Sequence, residues 1–169
     1  MTQNQNTFDF KLLGKKDLPL LFQWMHIPHV SKWWQSPTDW PTFQTKYRTQ
    51  LDNPYRSSYM VYLNQIPIGY IQYYQANKFP EWHNQAKDTY GIDILIGEMN
   101  YIGKGYGTLI IKQFIKMLCA NPEIRKIIAD PALDNKAAIA CYEKAGFKKI
   151  AEITRENTQY LLMEFGCLS

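Results

Sequence analysis

The chain has 169 residues, of which 46% are apolar and 15% aromatic, and its formal net charge is +4. This length and apolar content predict one domain with a substantial core, spanning residues 1–169. Lysine and arginine are scattered without a basic block, which argues against nucleic acid as a partner. No apolar run approaches the ~20 residues needed to cross a bilayer, so a membrane is not an expected partner either.

The cysteines Cys119, Cys141 and Cys167 are odd in number and have no metal-ligand spacing. The polar start MTQNQNTFDF has no apolar signal segment. The sequence therefore predicts reduced cysteines, a cytoplasmic protein and no bound metal. His26 and His29 have a spacing compatible with a metal pair, but without a nearby cysteine or acid cluster they are interpreted as helix-end and packing residues.

In chain order, residues 8–13 alternate like a strand and residues 17–25 have helical spacing behind Asp17 as the cap. A second helix is predicted over 42–51, with Pro41 in its first turn. The β-rich runs SYMVYL and IPIGYIQYY meet at Asn64-Gln65 and predict a hairpin. The polar residues that follow, 76–88, predict an irregular loop.

In the second half, TYGIDILIG predicts a buried strand and the residues after the glycines predict a helix to about Ala120. RKIIAD predicts another strand, and NKAAIACYEKAGF a helix capped by Asp134 or Asn135, with Gly146 just beyond its end. Two more strands follow from Lys148. The order predicts an α/β (α+β) fold, with one mixed, mostly antiparallel sheet of about six or seven strands flanked by about four or five helices.

Three glycines, Gly103, Gly105 and Gly107, follow a predicted strand and precede a predicted helix. Bare backbone lets successive N–H groups face one small anion there, and the helix N-terminus adds about half a positive charge. The spacing fits neither the nucleotide P-loop nor the dinucleotide fingerprint. Two interpretations therefore stay open, a phosphate cradle and a tight strand-to-helix connection without a ligand.

The segment from Ile92 to Phe147 resembles the GNAT N-acetyltransferase superfamily. The family's cofactor motif Q/R-x-x-G-x-G/A is matched by IGKGYG, residues 102–107, with Ile102 where the family usually has Gln or Arg. The resemblance implies acetyl-coenzyme A as the acetyl donor, its pyrophosphate on the amides of residues 103–108, and splayed central strands whose exposed backbone pairs with the pantetheine. The cofactor-binding residues that it implies are Ile94, Leu95, Ile96, Ile102, Gly103, Lys104, Gly105, Tyr106, Gly107, Thr108, Asn135 and Tyr142.

A larger set of stretches covers about residues 10–162: KDLPLLFQWMHIPHVSKWW, IPIGYIQYYQA, GID, IGKGYGT and ADPALDNKAAIACYEKAGF. Together they are similar to the aminoglycoside 6'-N-acetyltransferases, and more loosely to acyltransferases that acetylate hydroxylamine groups in siderophore assembly. The closer resemblance implies acetyl transfer to the primary 6'-amine of an aminoglycoside, and with it antibiotic resistance. A siderophore hydroxylamine or polyamine substrate, or a non-catalytic acyl-CoA-sensing module, are the alternatives.

An amine attacks a thioester only when it is unprotonated, and the departing thiolate gains from a nearby acid. Asp93 lies on an otherwise apolar strand, where it is either capped by backbone or placed at a cleft. The resemblance implies that Asp93 binds and deprotonates the amine, and that Tyr142, two helical turns after Asn135, is the acid beside the coenzyme sulfur. Direct transfer is expected, since Cys141 lies about 100° round the helix from Tyr142 and has no evident histidine partner.

A cationic substrate that approaches a protein of positive net charge needs a local acidic cleft, and aromatic rings can stack on a sugar or a cation. Asp130 ends a strand, where sheets open onto clefts, although it equally suits a hydrogen bond to the next turn. The candidate substrate-binding residues are Trp34, Tyr73, Glu81, Trp82, Asp88, Asp93 and Asp130. Packing and solvation are the competing interpretations for the rings and the loop acids. The aromatic content and the resemblance also favour a homodimer.

Overall fold

One sheet of seven strands organises residues 6–168, the part of the chain that the computed structural model describes. The strands are β1 (Phe8–Leu12), β2 (Arg56–Leu63), β3 (Ile66–Gln75), β4 (Thr89–Ile96), β5 (Lys126–Ala129), β6 (Lys148–Arg155) and β7 (Thr158–Gly166). Their order in space is β1-β2-β3-β4-β5-β7-β6, and every neighbouring pair is antiparallel except β4 and β5. The predicted mixed, mostly antiparallel sheet is confirmed.

Five α-helices accompany the sheet within the described residues: α1 (Leu18–Met25), α2 (Pro28–Ser31), α3 (Trp40–Leu51), α4 (Tyr106–Cys119) and α5 (Lys136–Lys144). The sequence did not predict α2, because four residues are too few to show a helical period. Helix α3 begins two residues before its predicted start, where the Asp39 carboxylate accepts the N–H of Thr42 at 2.9 Å. No helix of residues 6–168 is long and apolar enough to span a bilayer.

Asp17 occupies the predicted N-cap position of α1, but its side chain does not cap that helix. A short 3-10 helix (Lys15–Asp17) precedes α1, and the Asp17 carboxylate accepts the N–H of Gly14 at 2.8 Å instead of one from α1. The predicted irregular loop 76–88 also contains two 3-10 helices, Ala76–Lys78 and Pro80–Trp82. Such single turns leave no periodic pattern in a sequence.

Two-residue turns close both long hairpins. Asn64 and Gln65 join β2 to β3 with φ values of 49° and 66°, and Glu156 and Asn157 join β6 to β7 with 46° and 67°. Positive φ at both central residues is the geometry whose twist matches antiparallel strands. The predicted hairpin at Asn64-Gln65 is therefore confirmed, and the second turn fixes the end of β6.

The two faces of the sheet bury separate apolar cores. On one face α4 and α5 pack against the sheet through residues such as Ile92, Ile111 and Phe114. On the other face α1 and α3 pack through Trp24 and Phe43. Each fully buried side chain of this size contributes about 1.5–3 kcal/mol. Helices thus cover both faces of the central strands, and a ligand can reach these strands at an open edge inside the sheet.

That open edge lies between β4 and β5. The two strands pair only from Thr89 opposite Lys126 to Gly91 opposite Ile128. Strand β5 then ends at Ala129, whereas β4 continues to Ile96. The predicted splay of the central strands is confirmed, and it leaves one side of residues 92–96 without a neighbouring strand.

Cys119 and Cys167 form a disulfide, with their Cα atoms 5.3 Å apart. This contradicts the prediction of three reduced cysteines. Cys119 ends α4 and Cys167 follows β7, where its N–H donates to the carbonyl of Arg125 at 2.9 Å. The two residues are 48 positions apart in the chain, so only the tertiary fold reveals that they meet. Cys141 is a free thiol.

Loss of this disulfide should lower the free energy of unfolding by about 2–4 kcal/mol, because the bond closes a long loop in the unfolded chain. Urea unfolding of Cys119→Ser, compared with wild type with and without dithiothreitol, measures the effect. Cys141→Ser is the matched control and should respond to reductant as wild type does. A wild-type midpoint that dithiothreitol leaves unchanged would contradict the assignment.

Candidate functional site

A cavity of about 800 Å³ opens at the splay. Its walls are the second half of β4, the N-terminus of α4, one face of α5 and the segment around α2. Of the predicted site residues, those that line it are Trp34, Asp93, Ile94, Leu95, Ile96, Ile102, Gly103, Gly105, Tyr106, Gly107, Thr108, Asp130, Asn135 and Tyr142. Residues from five separate parts of the chain thus meet in one cleft.

Backbone groups of β4 face the cavity only at alternate residues. The N–H of Gly97 donates to the carbonyl of Ile68 at 2.9 Å, and the register of β3 and β4 continues from there without a shift. In an antiparallel ladder this places the N–H and C=O of Leu95 toward β3, and those of Ile94 and Ile96 toward the splay. Of the three residues predicted to pair with the pantetheine, only Ile94 and Ile96 therefore point their backbone N–H and C=O groups toward the splay. Leu95 lines the cavity, but its N–H and C=O point toward β3.

His29 contacts this exposed edge. Its Nε2 lies 2.9 Å from the carbonyl oxygen of Ile96, which can only accept, so Nε2 carries the proton. The other ring nitrogen, Nδ1, is buried without a partner among the described residues. His26 points elsewhere, toward the carbonyls of Phe22 and Pro37 at 2.7 and 3.1 Å. The two histidines therefore serve different contacts, and in residues 6–168 no group of three His, Cys, Asp or Glu is placed to hold a metal ion.

The three glycines have two different functions. Gly103 and Gly105 adopt φ values of 71° and 81°, a left-handed conformation that other residues rarely adopt, and nothing lies within 4 Å of the place where a Cβ would stand. Gly107 lies in the first turn of α4, where a Cβ would approach the sulfur of Cys141 to 3.2 Å. Gly103 and Gly105 thus shape the loop, whereas Gly107 permits close packing of α4 on α5.

The N-terminus of α4 has the features that favour an anion. The first N–H groups of any helix lack intrahelical partners, and the helix dipole adds about half a positive charge at that end. The left-handed residue Gly105 immediately precedes the first residue, Tyr106, and the loop is exposed. This end of the cavity therefore suits a phosphate or diphosphate group.

Gly105→Ala should weaken the binding of coenzyme A by about tenfold, because a Cβ disfavours the left-handed conformation that orients these amides. Titration calorimetry with coenzyme A measures the affinity. Gly166→Ala is the matched control, since Gly166 has open space around it and no positive φ. Equal affinities for the two variants would show that the loop conformation does not determine binding.

Asp93 is a half-buried acid held from behind by side chains of β2 and β3. Nε2 of Gln72 donates to its Oδ2 at 2.8 Å, and Oε1 of Gln72 accepts from the Tyr70 hydroxyl at 2.8 Å. Ser58 extends this buried chain with its Oγ 2.9 Å from the same hydroxyl. Burial raises the pKa of Asp93 above its usual value, although the Gln72 hydrogen bond and the charges of two arginines oppose the rise. A carboxylate with a raised pKa is a better proton acceptor.

Gln72 was not predicted to take part in the site. The signal for it is a polar residue within the β-rich run IPIGYIQYYQA, at a position that pairs directly with Asp93 across the ladder. Cross-strand neighbours lie on the same face of a sheet. Sequence alone indicates the polar residue, but only the strand register reveals its partner.

Asp130 lies just beyond the end of β5 and forms an ion pair with Arg155. Burial and the negative charge of Asp93 raise the pKa of Asp130 to about 6, against the opposing effect of Arg155. Glu81 is exposed, yet its charge contributes to the raised pKa of both Asp93 and Asp130. Asp93 therefore supplies negative potential at one end of the cavity, whereas Arg155 offsets the charge of Asp130 and Glu81 acts from outside the cavity walls.

Tyr142 lies on the cavity-facing side of α5 with 4% of its surface exposed. Its ring packs edge-on against Phe147 with centroids 5.2 Å apart. Burial, followed by the charges of Asp93 and Asp130, raises the pKa of the phenol well above its usual value, so the hydroxyl keeps its proton. Asn135 caps α5 by accepting the N–H of Ala138 at 3.1 Å, which selects Asn135 over Asp134 as the predicted cap.

Five predicted site residues lie outside the cavity walls: Tyr73, Glu81, Trp82, Asp88 and Lys104. The Tyr73 ring faces the opposite core, where it contacts Phe114 with centroids 6.1 Å apart, because alternate residues of β3 face opposite sides. Trp82 is buried behind Arg155. Asp88 precedes β4 and stands roughly 16 Å along the strand from Asp93. Lys104 is exposed in the loop. Tyr73 and Trp82 therefore do not form part of the cavity wall.

Trp34 does lie in the cavity wall, with its ring edge-on to Tyr70 at a centroid distance of 5.9 Å. Its two chain neighbours, Trp33 and Gln35, also line the cavity. The segment after α2 thus supplies a polar and aromatic wall opposite α5. The repeated tryptophans were the only sequence signal for it.

Comparison with known proteins gives consistent matches along the chain. A family model described as "Acetyltransferase (GNAT) domain" matches residues 14–155. Aminoglycoside N(6')-acetyltransferase type 1 of Klebsiella pneumoniae is 33% identical over 161 residues, which cover 91% of this chain and 80% of the relative. Lysine N-acyltransferase MbtK of Mycobacterium tuberculosis is 28% identical over 151 residues, 86% of this chain and 71% of the relative.

Among solved structures, AAC(6')-Ib in complex with paromomycin and acetyl-coenzyme A superimposes with a TM-score of 0.88 at 30% sequence identity. The alignment covers 95% of this chain and 94% of that one. The similarity therefore extends over nearly the whole fold.

Proposed function

The chain belongs to the GNAT acetyltransferase family, and we propose that it transfers an acetyl group from acetyl-coenzyme A to the 6'-amine of an aminoglycoside. The observation that carries the proposal is the arrangement of the splay. An unpaired edge of β4 runs from Asp93 to the helix end that suits a diphosphate, so one cleft offers a backbone ladder, an anion site and a carboxylate. Resistance to such antibiotics is the expected consequence.

The cleft fits acetyl-coenzyme A, which is a substrate of the reaction. Backbone N–H groups of residues 103–108 would hold the pyrophosphate. The N–H and C=O of Ile94 and the N–H of Ile96, whose C=O accepts from His29, would pair with the pantetheine amides as an added strand does. Asn135, at the start of α5, would contact the pantetheine. Together these contacts direct the thioester toward Asp93 and Tyr142.

The chemistry then needs three proton transfers. The Asp93 carboxylate takes a proton from the substrate ammonium, and the freed amine attacks the thioester carbonyl. As the carbon–sulfur bond breaks, the Tyr142 hydroxyl gives its proton to the departing thiolate. The acylated nitrogen then gives up its second proton, which restores the Tyr142 phenol, and Asp93 releases its proton to solvent. The products are the N-acetylated substrate and coenzyme A with a free thiol. Residues Trp34 and Asp130 line the acceptor end of the cavity and would contact the sugar.

A second acceptor class is supported by the similarity to the lysine N-acyltransferase. An ε-hydroxylamino or ε-amino group on a lysine chain would present the same nucleophile to Asp93. The cleft is then used in the same way, and only the acceptor differs. A polyamine, or a coenzyme-binding module without turnover, stays as a further alternative. A cytoplasmic location and a homodimer remain predictions.

A thiol-release assay separates these candidates. Purified protein is mixed with acetyl-coenzyme A and, in turn, kanamycin A, spermidine and hydroxylysine, and free thiol is measured over time. The proposal expects the highest kcat/KM with kanamycin A and a product acetylated at the 6'-amine by mass spectrometry and NMR. Turnover confined to hydroxylysine would select the second class, and tight coenzyme binding without turnover would select the sensing module.

A further inference from the structure

One of the two carboxylates in the cleft, that of Asp130, already forms an ion pair with a cation of the protein, Arg155. Nη1 of Arg155 contacts Oδ2 of Asp130, and the two side chains are 30% and 14% exposed. Arg155 is the last residue of β6, immediately before the two-residue turn, and Asp130 directly follows β5. Both residues also line the cavity. The pair is therefore anchored on the sheet and faces the acceptor end of the cleft.

Two aromatic rings hold the guanidinium in place. Its central carbon lies 4.4 Å from the ring centroid of Trp82 and 5.3 Å from that of Tyr160. Trp82 is buried, and Tyr160 is held by a β-bridge to Ala132. A planar guanidinium stacked on rings loses little further freedom when it binds a carboxylate. This ion pair is thus a fixed part of the site, unlike the exposed Lys149–Glu143 pair on the surface.

The two acids of the cleft consequently differ. Asp93 receives one hydrogen bond, from the neutral amide of Gln72, and has no ion pair within the described residues. Asp130 is neutralised by direct contact with a cation. An acceptor that carries one ammonium group finds a free partner in Asp93. A second ammonium group beside it would have to displace Arg155 or lie close to its charge.

We propose that Arg155 is a specificity-determining residue: by occupying Asp130, it makes this subsite favour an acceptor with a neutral hydroxyl there over one with a second ammonium group. The inference rests on the proposed function, because it assigns a preference among aminoglycosides. Such selectivity arises because Arg155 repels a second ammonium group, and it needs no extra contact with the preferred acceptor. The preference should weaken as salt screens the charge.

The test compares kanamycin A with kanamycin B, which has an amine in place of one hydroxyl on the sugar ring that carries the reacting 6'-amine. Arg155→Gln removes the charge and keeps a hydrogen-bond donor of similar reach. We expect the ratio of kcat/KM for kanamycin B to that for kanamycin A to rise about tenfold in the variant at low salt. In Arg155→Gln with Asp130→Asn, the gain should disappear, because the freed carboxylate is gone.

Lys126→Gln is the matched control, since it removes the other partly buried ion pair, Lys126–Glu164, which lies outside the cavity. Its ratio should equal that of wild type. If wild type acetylates both kanamycins and Arg155→Gln, still folded by thermal melting, leaves the ratio unchanged, the inference fails while the proposed function stands. If wild type acetylates neither compound but turns over hydroxylysine, the proposed function and the inference fail together.

Discussion

Asp93→Asn should lower kcat/KM for the amine substrate by about a hundredfold to ten-thousandfold, the usual contribution of a general base. Asparagine keeps the shape of the side chain and an oxygen that accepts from Gln72, but it cannot take a proton. Because burial of the charged carboxylate raises the pKa of Asp93, the wild-type rate should fall as pH drops through that raised pKa. The variant should lose this pH dependence along with the rate. Steady-state kinetics from about pH 4 to pH 9, which begins near the ordinary pKa of an aspartate, measure both effects.

Stability gives an independent check on this variant. A carboxyl whose folded-state pKa is raised stabilises the fold below its unfolded pKa, and this contribution is lost as pH rises through the folded pKa. Asp93→Asn should therefore leave the Tm at pH 8 unchanged or raise it, even as activity falls. Asp88→Asn, at the start of the same strand, is the matched control and should keep wild-type kinetics. Wild-type kcat/KM in Asp93→Asn across the pH range would show that the proposed role is wrong.

Tyr142→Phe should reduce kcat by about tenfold to a hundredfold while changing the affinity for coenzyme A by less than about twofold. The substitution removes only the hydroxyl, which is the proposed proton donor to the thiolate. The ring stays and keeps its contact with Phe147. Steady-state kinetics give kcat, and titration calorimetry with coenzyme A gives the affinity. The two readouts separate chemistry from binding.

Phe147→Leu is the packing control for this prediction. It disturbs the contact with the Tyr142 ring but leaves the hydroxyl in place, so it should lower the Tm, with a smaller loss in kcat than Tyr142→Phe. If Tyr142→Phe instead lost kcat and coenzyme affinity to the same extent, the tyrosine would be a structural residue of the cavity wall. The departing thiolate would then take its proton from a group other than Tyr142.

Local patterns in the chain were sufficient to predict most of the sheet. Three local features have a local physical cause and occur where they were predicted. They are the turn at Asn64-Gln65, the glycine loop with Gly103 and Gly105, and the helix cap at Asn135. The splay was predicted only from the family resemblance, because no pattern in the sequence of β4 indicates where β5 ends.

What the sequence did not predict depends on contacts between distant residues. The hydrogen bond from Gln72 to Asp93 spans 21 positions, and the ion pair from Arg155 to Asp130 spans 25. Tyr73 was misplaced for a related reason: a shift of one residue along a strand moves a side chain to the other face, and the sequence of β3 is apolar on both faces. The Cys119–Cys167 disulfide likewise depends on how α4 and the end of β7 come together.

The central claim is that main-chain amides of residues 103–108 and the free edge of β4 hold acetyl-coenzyme A in the splay. A crystal structure with coenzyme A bound tests it most directly. We predict the diphosphate on the N-terminus of α4, the pantetheine beside Ile94 and Ile96, and the sulfur near the Tyr142 hydroxyl. Coenzyme bound at another place, with this loop empty or filled by a side chain, would contradict the account.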